Sequence, residues 1–128
     1  MNYSIAIRTL GTSGEKFVRE LESIKRQTVQ PEKVVIYIAE GYERPQYTIG
    51  KEEYVWVKKG MVAQRALSYS EIDSPLLMML DDDVELEPDS AERVCNITSS
   101  RLSANGWTCS GNFAQVDKIN SNVAICII

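Results

Sequence analysis

Leu76-Leu77-Met78-Met79-Leu80-Asp81-Asp82-Asp83 is the stretch on which the fold turns. Its apolar residues show no polar alternation, which predicts a strand covered on both faces, as in a parallel sheet. The carboxylates then fall at the strand's C-terminal end, where open α/β sheets place their ligands. Adjacent carboxylates repel one another unless something compensates them. A hard divalent cation shared with phosphate oxygens does so, and the segment therefore points to a metal-assisted nucleotide or phosphate site.

The flanking sequence supports a sheet of this kind. Ile5 to Leu10 reads as a first strand. Thr12 and Glu15 stand at capping-box spacing, and Phe17, Val18, Leu21 and Ile24 recur at helical spacing up to the break at Pro31. Val34 to Ala39 is β-branched and apolar, a second strand closed by Glu40-Gly41. Residues 42 to 53 read as a polar loop, Tyr54 to Val57 as a short strand, and Met61 to about Tyr69 as a helix. After the acidic triplet, Pro88-Asp89-Ser90 opens a helix with Ala91, Val94, Cys95 and Leu102 on its apolar face, and Asn105-Gly106 supplies a stop. Trp107 to Phe113 reads as a further strand and Val123 to Ile128 as a terminal apolar segment. This alternation predicts an α/β fold with a mostly parallel, doubly wound sheet. Thr9, Glu40 and Asp81 to Asp83 then end their strands on one edge.

Composition narrows the function. A chain of 128 residues forms one domain. Its net charge of −4 argues against broad binding to nucleic acid or anionic lipid. No apolar run is long enough to span a bilayer, and no secretory signal is visible, so the expected location is cytoplasmic. Cys95, Cys109 and Cys126 lack metal-ligand spacing and read as reduced thiols. With no histidine, Ser-His-Asp catalysis and histidine-ligated zinc are excluded within this chain. Trp56 reads as core. An EF-hand loop fails because Leu86 stands where its glycine belongs.

From about Tyr3 to Asp89 the sequence resembles the family 2 glycosyltransferases, which have the GT-A fold. The resemblance rests on several pieces in order. A first strand leads to Thr9, and Ser23-Ile24-Lys25-Arg26-Gln27 is similar to the family's Ser-Leu-x-x-Gln. Ala39-Glu40-Gly41 stands where many members have Asp-Asp-Gly, and Lys59-Gly60-Met61-Val62-Ala63-Gln64-Arg65 is similar to Lys-Gly-x-x-x-Ala-Arg-Asn. Leu80 to Asp89 is close to the Asp-x-Asp segment and the Pro-Asp that follows it. Asp81 and Asp83 also resemble the Asp-x-Asp of haloacid-dehalogenase-like phosphatases, but Glu85 occupies the place of that family's Thr or Val.

The glycosyltransferase resemblance implies roles. Thr9 and its neighbours line a nucleobase pocket, and Glu40 takes the place of the acidic residue that contacts the base, with Ala39 the neighbouring alternative. Arg65 approaches the nucleotide or the acidic loop. Asp81 or Asp82 contacts the ribose, and Asp83, with Asp81, ligates Mn²⁺ or Mg²⁺. The implied reaction moves a sugar from an NDP-sugar, UDP-sugar favoured, to a glycan, lipid or protein acceptor. The match weakens after residue 89: Ala66 stands where asparagine is frequent, and Asp117 is the only Asp or Glu after Glu92. The expectation is a nucleotide-sugar-binding domain, residues 1–128, with its core in 1–89 and an incomplete acceptor side in 90–128. A fuller form would sit in the cytoplasm or against the inner face of a membrane. Asp117 is expected in a surface loop, and Val123 to Ile128 at an exposed edge that favours self-association. The competing functions are a non-catalytic sugar-nucleotide-binding module or inactive remnant and, behind it, a metal-dependent phosphatase or nucleotidyltransferase.

Overall fold

A computed structural model of the chain describes residues 2–59, 72, 74–103, 116–120 and 123–127. Its elements are β1 (Tyr3–Thr9), α1 (Glu15–Lys25), β2 (Val34–Ala39), β3 (Glu52–Val57), β4 (Leu76–Asp81), α2 (Ser90–Ser103), β5 (Val116–Asn120) and β6 (Val123–Ile127). The described strands form one sheet in the order β3-β2-β1-β4-β6-β5. β1, β2, β3, β4 and β6 run parallel, and β5 pairs antiparallel with β6 at one edge. The α/β reading with a mostly parallel sheet therefore stands.

Unbroken apolar sequence becomes two-sided burial, as parallel strands require. Every residue of β2 is buried, and so is β4 from Leu76 to Leu80. On one face Tyr3, Ile5, Ile7, Val34, Ile36, Leu76, Met78 and Leu80 pack with Phe17, Leu21 and Ile24 of α1 and with Ala91, Val94 and Cys95 of α2. On the other face Ala6, Val35, Tyr37, Leu77 and Met79 cluster with Ile72. Both described helices thus cover the same face. The helix predicted over 61 to about 69, the strand predicted over 107–113 and the Asn105-Gly106 stop lie outside the described residues.

Several sequence expectations change. Thr12 does not cap α1. The N-cap is Gly14 at φ 57°, ψ −123°, with no side-chain hydrogen bond, and the first-turn amides of Lys16 and Val18 reach the carbonyls of Ser13 and Gly14 instead. That backbone conformation lies in the left-handed half of the map, where glycine costs least. The loop after β2 ends sooner than expected, since Glu52 and Glu53 already belong to β3. Asp117 is not in a loop but in β5, paired with Ile125. β6 is not an edge: it sits between β4 and β5, so the apolar run from Val123 is consumed by internal pairing. Trp56 is not core. It is 45% exposed on edge strand β3, and its indole N–H donates to the Tyr42 carbonyl at 2.9 Å.

Met78 lies at the centre of the face that α1 covers, fully buried. Met78→Ala is expected to lower the unfolding free energy by about 2–5 kcal/mol in a urea titration, the range for cavity-forming core truncations. A loss below about 1 kcal/mol would contradict this packing.

Candidate functional site

The site is built by the pairing of β1 with β4. Their register sets Ile7 opposite Leu80 and Arg8 opposite Asp81, so both strands reach the C-terminal edge of the sheet together. Thr9, almost fully buried, then donates its hydroxyl proton to Asp82 Oδ2 at 2.8 Å. The same Oγ1 accepts the Gly11 amide at 2.8 Å. One hydroxyl therefore ties together the end of β1, the turn into α1 and the acidic loop. Gly11 is fitted to this turn. Its φ is +82°, and a Cβ there would meet Ile38 Cδ1 and Tyr42 Cβ, each at 3.2 Å.

The three carboxylates have different surroundings. Asp82 is held by Thr9. Asp81 lies 3.7 Å from the Arg8 guanidinium, but its side chain is 68% exposed, so solvent screens the pair. Asp83 is exposed and makes no hydrogen bond or ion pair with another described residue. It borders a cavity of about 230 Å³ with Lys16, Arg19 and Glu85. A second cavity, of about 210 Å³, is walled by Thr9, Gly11, Ser13, Gly14, Phe17 and Pro45. These cavities flank the start of α1, whose free first-turn N–H groups favour negative charge.

Glu20 escaped sequence reasoning. Its neighbours Arg19 and Glu22 are solvated, and a helical glutamate normally is too. In the fold it is fully buried, and neither carboxylate oxygen has a hydrogen-bond partner. The signal was spacing: Glu20 lies three residues after Phe17 and four before Ile24, on the helix face that packs against the sheet. Burial first, and then the negative charges of Asp82, Asp83 and Asp81, push its carboxyl up from 4.5 to about 9. The Val84 backbone amide pulls the other way without closing a hydrogen bond. Glu20 is therefore a neutral acid at pH 7, beneath an acidic loop.

The remaining expected residues fall as follows. Glu40 follows β2 on the same sheet edge as Thr9 and Asp81, and is exposed. Its amide donates to the Val57 carbonyl at 2.8 Å, which ties its backbone to β3. Among the described residues it lines neither cavity. Arg65 lies outside the described residues. Among the described residues no cluster of three or more Asp, Glu or Cys side chains is arranged to hold a metal by itself. The donor set still suits Mg²⁺ or Mn²⁺, because Mg²⁺ is commonly held by one or two carboxylates, with substrate phosphates and waters completing the shell. Asp83, and Asp81 beside it, are the carboxylates present for that purpose. No helix among the described residues is long and apolar enough to cross a membrane.

No family model matches the chain, and no curated protein matches it significantly.

The neutral Glu20 makes stability depend on pH in a definite direction. Its folded pKa is raised above the unfolded value, so its contribution is fully present below about pH 4.5 and is lost as pH rises through about 9. Within that window each pH unit costs roughly 1.4 kcal/mol. Glu20→Gln keeps the neutral shape and removes the titration. Its stability relative to wild type is expected to rise by more than about 1 kcal/mol between pH 5 and pH 8 in urea titrations. A difference that stays constant with pH would contradict the buried acid.

Proposed function

We propose that this chain binds a nucleoside diphosphate-sugar, UDP-sugar favoured, together with Mn²⁺ or Mg²⁺, and acts in glycosyl transfer in the manner of the family 2 glycosyltransferases and their GT-A fold. The observation that carries the reading is the Thr9–Asp82 hydrogen bond. It joins the end of the first strand to the acidic loop after the fourth, at the edge where open α/β sheets bind ligands.

The roles follow from the surroundings. The cavity walled by Thr9, Gly11, Phe17 and Pro45 offers a flat apolar side and backbone polar groups, as a nucleobase requires. Thr9 fixes one oxygen of Asp82, which leaves its other oxygen to accept from a ribose hydroxyl. Arg8 restrains Asp81 and offsets part of its charge. Asp83 faces the cavity with Lys16 and Arg19, where a diphosphate finds both positive side chains and a carboxylate for its cation. A divalent cation held there stabilises the negative charge that develops on the departing diphosphate.

One observation favours a binding module that does not itself catalyse transfer. An inverting transfer needs a carboxylate within hydrogen-bond reach of the acceptor hydroxyl. Asp117 is the only Asp or Glu after Glu92, and it pairs with Ile125, which pairs with Leu77. Leu77 lies four residues before Asp81, which places Asp117 about 13 Å back along the sheet from the edge where the acidic loop begins. In that register it is no acceptor base.

Calorimetric titration with UDP, with and without Mn²⁺, tests the reading. Wild type is expected to bind at least about tenfold more tightly with Mn²⁺, a difference of about 1.4 kcal/mol. Asp83→Asn should abolish most of that gain. Asp82→Asn should lose less, because its amide oxygen still accepts from Thr9. Equal affinity with and without Mn²⁺ in wild type overturns the proposal.

A further inference from the structure

The segment after the acidic triplet, residues 84–89, is neither helix nor strand. Its backbone polar groups need partners where they are buried, and α1 with its C-terminal turn supplies them from two side chains. Ser23 is fully buried. Its hydroxyl accepts the Leu86 amide at 3.1 Å and donates to the Glu20 carbonyl at 2.7 Å. Gln27 is 4% exposed. Its Nε2 donates to the Ser23 carbonyl at 3.0 Å and to the Glu87 carbonyl at 2.7 Å, while its Oε1 accepts the Ala91 amide at 3.0 Å. With two carbonyls on one side and an N–H on the other, one orientation of the amide satisfies all three. The Thr28 amide adds a bond to the Pro88 carbonyl at 2.9 Å.

We infer that Ser23 and Gln27 are positioning residues that fasten residues 86–91 to α1 and so fix the acidic loop in the geometry with which Asp83 meets a divalent cation. This rests on the cation-dependent nucleotide binding proposed above. The loop is fixed at both ends. Thr9 holds Asp82 on one side, and Ser23 takes the Leu86 amide three residues after Asp83 on the other. The buried side chains of Leu86 and Ala91 seat the same segment in the core. Between the anchors the loop brings three aspartates close to the buried Glu20 carboxyl, an arrangement that their mutual repulsion opposes. Releasing the second anchor lets the carboxylates move apart. The expected consequence is a loss of cation affinity out of proportion to any loss of stability.

Ser23→Ala and Gln27→Ala are to be compared with Val35→Ala, a core truncation on the opposite face of the sheet. Each is titrated with Mn²⁺ and UDP at a temperature where circular dichroism shows all variants fully folded. Both anchor variants are expected to lose about tenfold or more in Mn²⁺-dependent UDP affinity, and Val35→Ala to stay within about twofold of wild type. Faster amide exchange at Leu86 and Ala91 should accompany the loss. If Gln27→Ala does not fold, Ser23→Ala carries the comparison alone. Anchor variants that bind like Val35→Ala, while wild type shows the Mn²⁺ dependence, overturn the positioning role and leave the site standing. A wild type without Mn²⁺ dependence overturns both.

Discussion

The parallel pairing of β1 with β4 is the constraint on which the rest of the site depends. A shift of one residue in that register would move every side chain of β4 to the other face of the sheet. Met78 and Leu80 would leave the core beneath α1, and Asp82 would leave Thr9. The apolar requirement of two buried faces thus also sets the position of three charges. The site does not need an independent device to place it, only a strand whose sole energetically acceptable register ends at Asp81.

Those charges meet an environment that is partly prepared for them. Arg8 offsets Asp81, Thr9 donates to Asp82, and Lys16 and Arg19 stand across a cavity from Asp83. Beneath them Glu20 adds a fourth carboxyl, which burial and the aspartates keep protonated. A buried carboxyl without a hydrogen bond costs stability. Sites that tolerate such a cost are often functional, although structural networks perturb acids as well. Here the geometry joins the two: Glu20 lies one turn before Ser23 on the helix that holds the loop.

The sequence reveals those features that periodicity encodes. β2 is read without error from Val34 to Ala39 because two-sided burial leaves no polar residue in it, and the same logic finds β4. The C-terminal ends of these strands then place Thr9, Glu40 and the acidic triplet on one edge before any coordinates are known. What escapes is set by tertiary contact. Val-Asp-Lys-Ile-Asn carries no strand alternation that distinguishes β5 from a loop, and its pairing with β6 decides the matter. Gly14 displaces Thr12 as the cap because the turn out of β1 needs a left-handed residue there. Trp56 looks like core by composition but lies on an edge strand. Glu20 looks like solvent-facing helix until Phe17, Leu21 and Ile24 are seen to carry it inward.

The central claim is that the edge formed by Thr9 and the acidic loop holds a nucleoside diphosphate through a divalent cation. Crystals of the chain grown with UDP and Mn²⁺ test it most directly, because anomalous scattering locates the manganese without assumption. The account predicts one Mn²⁺ peak within about 2.2 Å of a carboxylate oxygen of Asp83. It also predicts diphosphate oxygens in the same coordination shell and the uracil in the cavity beside Thr9. A manganese bound away from residues 81–83, or UDP bound elsewhere on the surface, would contradict it.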